Sequence, residues 1–414
     1  MKKILILLIL LLVALPIYVF ADNAEKNSSE VSDDSSDSEK KPLYIENRYL
    51  EFGILQTRVG LANNHFIPSD IFKEKLVIDL GDFSGGLKIN ADIGIVPLYF
   101  TYHKDNLWGF GLALGLDAAG IIDISGNLLT LSETENDNSF VGGAAFAYAK
   151  FSGFFMYKDF KIKINPSLFL PLIYIEGDHN INYTFNNESE ASVIRLGYQL
   201  FVYTGFPLQE GSVFELTALA GFDFHAGAEY PLAEKLGLKE KYKFLDFTVG
   251  VDLYNVPLIP AKMKNYVNIS GYAGDGSPVS LDDMENLISI DDPVYGTREK
   301  FVLRPFKMLI WADWKPFDTV PVSFIPTLGF GISPLYPEAG SFEAGVKAKY
   351  NYANLFIASL GIGYYDRLWK NSLEIALNFR YFEFNIGVEM RSHDFAKSWQ
   401  GSGLGVYIGF KAGS

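Results

Sequence analysis

Cysteine is absent from the 414 residues, which removes disulfides, thiolate nucleophiles, zinc–thiolate sites and an acylated N-terminal anchor together. Histidine is scarce: His65, His103, His179, His225 and His393 share no ligand spacing, so neither a metal centre nor a cofactor is expected. Cationic patches are lacking as well. With 35 Lys and Arg against 49 Asp and Glu the formal charge is −14, and no basic stripe runs along the chain. That excludes a general nucleic-acid binder, because phosphate neutralisation needs clustered cations on one face. Beyond the first twenty or so residues no apolar run reaches the length of a spanning helix, so any membrane crossing must use strands whose backbone groups satisfy one another.

What is present begins with Lys2 and Lys3 ahead of an apolar run from Ile4 to Phe20 that closes on Val19-Phe20-Ala21. Small residues at −3 and −1 predict an export signal over 1–21, cleaved after Ala21. Residues 22–42 are Ser, Asp, Glu, Asn and Lys with little to bury, and read as a disordered acidic leader. The remainder, 43–414, reads as one all-β domain.

The clearest pattern lies at the far end. Phe382, Phe384, Ile386, Val388 and Met390 alternate with Glu383, Asn385, Gly387, Glu389 and Arg391; Leu404, Val406, Ile408 and Phe410 then alternate with Gly403, Gly405, Tyr407 and Gly409. Period two is strand. The alternation recurs in about 16 segments from 47–61 to 402–411, with 14 as the alternative count and 261–272 the weakest member. In 139–155 the register stays open. The expected architecture is an antiparallel transmembrane β-barrel with short periplasmic turns and longer extracellular loops, because the connections alternate short and long.

Aromatics crowd the short turns: Phe100, Tyr102, Trp108 and Phe110 at the first, Phe155, Tyr157 and Phe160 at the second, Phe201 and Tyr203 at the third, Trp311, Trp314 and Phe324 at the fifth. That is the composition of an interfacial belt. The opposite strand face carries charges of both signs, and a charge facing lipid at mid-depth costs roughly 2–4 kcal/mol, so this face is assigned to the lumen. Lys88, Asp92, Lys161, Lys163, Arg195, Glu215, Asp223 and Asp246 are its candidate residues. Two long loops, 62–84 and 273–300, are each expected to hold a short helix, after Ser69 or Asp70 and over Leu281 to Ile290.

Other motifs read as structure. Gly109, Gly111 and Gly115 sit on one strand face rather than at a strand-to-helix turn, so close packing is preferred to phosphate binding. Asp223 and His225 form an acid–imidazole pair without a nucleophile, and no catalytic residue is assigned; the chain is read as a non-enzyme. The Asp275-Gly276 and Asp282-Asp283 stretches lack calcium-loop spacing.

The runs Glu46-Asn47-Arg48-Tyr49-Leu50-Glu51-Phe52-Gly53, Ser69-Asp70-Ile71-Phe72, Val77-Ile78-Asp79-Leu80, Leu303-Arg304-Pro305-Phe306-Lys307, Ser392-His393-Asp394-Phe395 and Trp399-Gln400-Gly401-Ser402-Gly403 give the chain a resemblance to a family. From about residue 44 onward it resembles spirochaete (treponemal) outer-membrane proteins, some of which are grouped with FadL-type long-chain fatty-acid transporters. The resemblance implies a barrel in the bacterial cell outer membrane. The expected function is a passive channel for small or hydrophobic solutes; the alternative is a surface-exposed structural or adhesin-type barrel. Expected partners are outer-membrane lipid, the barrel-assembly machinery with Phe410 as its signal, and an unknown small solute.

Overall fold

The computed structural model describes residues 50–64, 86–104, 107–125, 141–158, 160–178, 196–205, 218–273, 288–317, 320–333, 340–379 and 381–413. The export signal and leader, Arg195, Glu215, the helix expected after Ser69 and most of the one expected before Ile290 lie outside these residues. The described chain is strand after strand: β1 (Leu50–Asn63), β2 (Leu87–Lys104), β3 (Trp108–Ile124), β4 (Val141–Tyr157), β5 (Phe160–Asp178) and β6 (Leu196–Thr204). There follow β7 (Gly221–Tyr230), β8 (Asp246–Ile259), β9 (Ala261–Ala273), β10 (Ile288–Ile290), β11 (Val294–Val302) and β12 (Phe306–Lys315). The last third supplies β13 (Val322–Ile332), β14 (Gly340–Tyr352), β15 (Phe356–Tyr365), β16 (Leu368–Asn378), β17 (Phe382–Ser392) and β18 (Gly403–Gly413).

Fourteen of these strands close a ring. Pairing runs β1 to β5 in order, skips to β7 and β8, skips again to β12, continues to β18, and returns to β1 through a ladder that sets Val59 opposite Val406. Every pair is antiparallel, and it is the closure through β1 and β18 that removes the free edges of the ring itself. The ring therefore has the smaller of the two strand counts anticipated, and β6 and β9, the segments 191–206 and 261–272, stand outside it. With β10 and β11 they form a flap: β6 pairs with the upper part of β5 and with β9, which in turn pairs with β10 and β11. Ile288–Ile290, assigned above to a helix, is the short strand β10 of this flap.

Proline explains where β5 changes partner. Lys161 to Phe169 pair with β7, whereas Ile173 to Asp178 pair with β6. Between them the register against β4 slips by one residue at Pro171, which has no N–H to give the ladder. Gly205 donates to the Leu172 carbonyl at 2.9 Å, and a Cβ there would lie 2.6 Å from the Pro171 oxygen, so the flap strand leaves the wall in close contact with the bulge.

This branch corrects the expected strand directions. β7 and β8 run opposite to the sense that sixteen alternating strands would give them. Their connection, with helices α1 (Leu232–Lys235) and α2 (Leu238–Lys241), lies at the end with the short turns, while Pro257 to Ile259, expected as a turn, belong to β8 and pair with Phe222 and Asp223 of β7, Pro260 alone separating β8 from β9. The short connections from β2 to β3, β4 to β5, β12 to β13, β14 to β15 and β16 to β17 match expectation, and the turn expected at Pro207 to Gly211 lies outside the described residues. At the loop end, Asp366 and Arg367 form a tight hairpin with φ of 55° and 61°, the pattern of a type I′ turn. The link after β17 folds into helix α3 (Phe395–Gln400), capped by Asp394, whose side chain accepts from Lys397 N at 2.9 Å, and ended by Gly401 at φ 75°.

One face of the ring points outward and is apolar. Val59, Leu61, Ile93, Leu114, Leu116, Ile164, Ile310, Leu328, Val346, Leu360, Val388 and Ile408 are all exposed. In water such a surface is untenable; in a bilayer it is the required one. Phe52, Phe100, Phe110, Tyr102 and Trp108 touch in sequence at ring-centroid distances of 5.2 to 6.2 Å beside the first turn, and Trp314–Phe324 and Phe382–Phe410 repeat the motif around the rim. Phe201 and Tyr203 do not join this belt. They lie in the flap with Tyr266, where Tyr203, Met263 and Val302 pack onto Ala144, Phe146 and Phe169 of the inner wall. The register of β4 is thereby settled, with Ala144, Phe146, Tyr148 and Lys150 facing in.

Candidate functional site

The inner face gathers the charges, and it does so in pairs. Near the loop end Arg58 bridges two carboxylates, Asp92 at 3.0 Å and Asp117 at 3.8 Å. Lys150 meets Asp117 at 2.6 Å, and Arg391 reaches both Asp92 and Glu389. Room for these long side chains is made by glycine. A Cβ on Gly60 would sit 2.1 Å from Arg391 Nη1, and one on Gly94 2.2 Å from Asp117 Oδ1.

A second group lies where β5, β7, β8 and β12 meet. His225 contacts Asn165 Nδ2 at 2.8 Å through Nδ1 and Asp252 Oδ1 at 3.0 Å through Nε2, and stacks on Tyr254 with centroids 4.2 Å apart. Asp252 also accepts from Trp311 Nε1 at 2.7 Å. With the amide nitrogen donating to Nδ1, Nε2–H donates to Asp252, so the ring links the two in a chain of hydrogen bonds.

The most enclosed pair ties the flap to the wall. Arg304, in the link from β11 to β12, donates to Asp223 through Nε at 2.7 Å and Nη2 at 2.6 Å, and to Ser167 Oγ at 3.2 Å. Its guanidinium lies 4.3 Å from the Tyr148 ring centre and 5.4 Å from that of Phe169. The side chains are 7% and 2% exposed, so this bidentate pair is removed from solvent and structural in character.

Of the residues proposed from sequence, Lys88, Asp92, Lys161, Lys163 and Asp223 face the interior. Lys88 lies 3.6 Å from Asp123, and Lys161 and Lys163 converge on Glu229. Asp246 opens β8 at the turn-end rim, on the same strand face as Asp252, and pairs at 2.9 Å with Lys239 of α2, whose position in a connection alternation does not register. Arg195 and Glu215 are outside the described residues. Asp223 and His225, adjacent on one face of β7, are engaged separately by Arg304 and by Asp252. Gly111 fits the packing assignment, since Phe154 occupies the space a Cβ would need, 2.2 Å away.

Sequence reading did not single out Arg58, Asp117, Arg304, Lys307 or Arg391 as lumen residues, whereas Glu343, with Lys347 and Lys349, falls on the charged face that alternation assigned to the lumen. Arg58 and Asp117 carry the same signal as the residues that were chosen, a charge in phase with the inward set. Arg304 carries none, because it sits between strands.

Two adjoining cavities of about 510 and 470 Å³ open in the lumen, the first toward the turn end and the second reaching toward the Asp366–Arg367 hairpin. Tyr99 and Tyr407 wall the first; Tyr254, Trp311 and Tyr365 wall the second. Their lysines are Lys163, Lys347, Lys349, Lys370 and Lys411, and their carboxylates Glu229, Asp252, Glu374, Glu383 and Glu389, so the two signs balance. Lys347 and Glu374 line both. Among the described residues no group of three or more His, Asp or Glu is placed to hold a metal ion.

No protein-family model and no curated protein sequence matches the chain. Among solved structures it is similar to a mutant of the monoaromatic hydrocarbon channel TodX, with TM-score 0.48, 10% identity and coverage of 89% of this chain and 91% of that one. It is also similar to the Pseudomonas putida toluene transporter TodX, with TM-score 0.45, 11% identity and coverage of 88% and 90%. For a Pseudomonas aeruginosa FadL homologue the TM-score is 0.42, the identity 9% and the coverage 89% and 90%. Likenesses at this level carry no weight on function, which rests on the lumen.

Proposed function

We propose that the chain is a bacterial outer-membrane channel that lets small solutes diffuse down their gradients. The observation that carries this is the lumen: a closed, lipid-compatible ring encloses two adjoining cavities lined by charges of both signs. A barrel that served only as a platform for surface loops has no need of cavities so lined; a filled apolar interior would hold it more firmly. Transport proceeds by passage between weak sites, each favourable enough to enter and weak enough to leave. In this reading the apolar outer surface is met by outer-membrane lipid, and the barrel-assembly machinery inserts the chain by engaging its last strand, where Phe410 faces outward, 40% exposed.

Reconstitution into planar bilayers is the test. Stepwise conductance, together with swelling of proteoliposomes in small solutes, is the expected result. Absence of both, from protein that still shows the heat-dependent gel mobility of a folded barrel, sinks the channel and favours the platform.

A further inference from the structure

We propose that the lumen recognises small zwitterions, solutes bearing one ammonium and one carboxylate, in a trough that crosses β14, β15 and β16. The proposal rests on the channel reading above and names its substrate class.

The trough follows from register. Lys349 stands opposite Ser359, which stands opposite Glu374; one step along, Lys347 faces Gly361, which faces Ser372. Two cationic stems on β14 and a carboxylate on β16 are thus separated by a floor of small residues on β15, about 10 Å across at two strand spacings. Outward-facing Val346, Leu360 and Leu373 bracket these positions, which fixes the charged row as inward.

Exposure then decides which ion pair can exchange. Lys347 Nζ donates to both oxygens of Glu374, at 3.0 and 3.1 Å, yet the two side chains are 37% and 47% exposed. So open a pair adds little to stability, and solute charges can replace either partner at little cost. Arg304 and Asp223, buried and bidentate, cannot be opened that way. Beside the open pair Lys349 makes no ion pair or hydrogen bond among the described residues, although it lines the larger cavity.

A solute of one sign fits this place badly. An anion satisfies Lys349 but meets Glu374 and Glu383; a cation meets Lys347 and Lys349. A hydrocarbon strips water from all of them without replacing it, which is unfavourable for each charge left bare. A zwitterion lays its carboxylate between Lys347 and Lys349 and its ammonium on Glu374, keeping every charge compensated. Because Lys347 and Glu374 border both cavities, the trough lies on the way from one to the other.

Swelling of proteoliposomes containing the full chain, measured with glutamine, glutamate and lysine as solutes of similar size, tests the proposal. Glutamine is expected to enter about tenfold faster than either ion, the factor that corresponds to about 1.4 kcal/mol. Lys349→Met lowers the glutamine rate severalfold while Lys349→Arg retains it, and the Lys347→Met/Glu374→Met pair brings the three solutes together; heat-dependent gel mobility confirms that each variant is folded. Equal rates for the three in the unmodified protein, or uptake of toluene with exclusion of glutamine, overturns the zwitterion site and leaves the channel standing. Entry of none of them, with no bilayer conductance, overturns the channel itself.

Discussion

Replacing Arg304 by Met isolates the pair that fastens the flap. Methionine keeps most of the stem length and loses the guanidinium, leaving the Asp223 carboxylate 2% exposed and without its two donors at 2.6 and 2.7 Å. Breaking a buried pair from one side costs about 3–5 kcal/mol, because the remaining charge stays buried and uncompensated. The contact with Tyr148 at 4.3 Å is lost too, adding about 1 kcal/mol. Neutralising the other partner as well, in Arg304→Met/Asp223→Asn, removes the bare charge and should recover at least half of the loss, since buried pairs exchanged for neutral groups are often close to isoenergetic. Urea titration of the folded gel band in detergent micelles measures the sum. Hydrogen exchange gives the location: amides of β9 and β11 should lose protection while those of β14 to β17 keep theirs, because Arg304 joins the base of the flap to β5 and β7. The reasoning is refuted if the single variant unfolds within about 0.5 kcal/mol of the parent, the size of an ordinary surface change, or if the double variant is no more stable than the single.

Three further outcomes are expected. Leu116→Lys, on the outward face at mid-strand, should cost roughly 2–4 kcal/mol and reduce the yield of folded barrel, whereas Ala113→Lys on the inward face should fold normally; equal yields would place the bilayer elsewhere. His393, in the link after β17, donates from Nδ1 to the Arg367 carbonyl at 3.1 Å and meets the Asn90 side-chain amide through Nε2 at 2.9 Å, and burial, then the charge of Lys88, pushes its pKa from the ordinary 6.5 down to about 4. A neutral ring in the folded state means that its contribution is complete above pH ~6.5 and is lost as pH falls toward ~4, by about 3 kcal/mol at most. Hydrogen exchange over 393–402 should accelerate across that window in the parent and stay flat in His393→Gln; a flat profile in both removes the acid-sensitive contact. Phe410→Ala should impair membrane insertion more than Phe395→Ala in α3, read as the fraction of chain reaching the heat-modifiable form; equal impairment argues against the assembly role.

Alternation made the strands legible because it is a local consequence of the pleat, and it named inward residues such as Lys88, Asp92 and Lys163 without knowledge of any neighbour. What it cannot show is which strand lies alongside. β6 and β9 alternate as wall strands do, yet bury their inner face in an aromatic cluster over Phe146 and Phe169 rather than closing the ring. The physical cue was in β5: Pro166 leaves a gap in the ladder to β4, filled by Asn165 Oδ1 accepting from Gly153 N at 3.1 Å, and Pro171 leaves the bulge at which the partner changes. The same limit hid the ion-pair partners, since Arg304 and Asp366 lie in links that carry no period.

Direction in an antiparallel ring is a matter of parity. Counting β6 as a wall strand inverts β7 and β8, and with them the end assigned to 231–245; counting β9 as another restores the sense of every strand from β12 onward. Two errors of opposite effect therefore left the closing ladder intact, with Val59 opposite Val406 and Phe384 opposite Phe410 as the hairpin at the end of the chain demands. It follows that loop sorting tests parity only over a contiguous run. The first five strands and the last seven obey it, the interval between them does not, and that interval is where the flap is inserted.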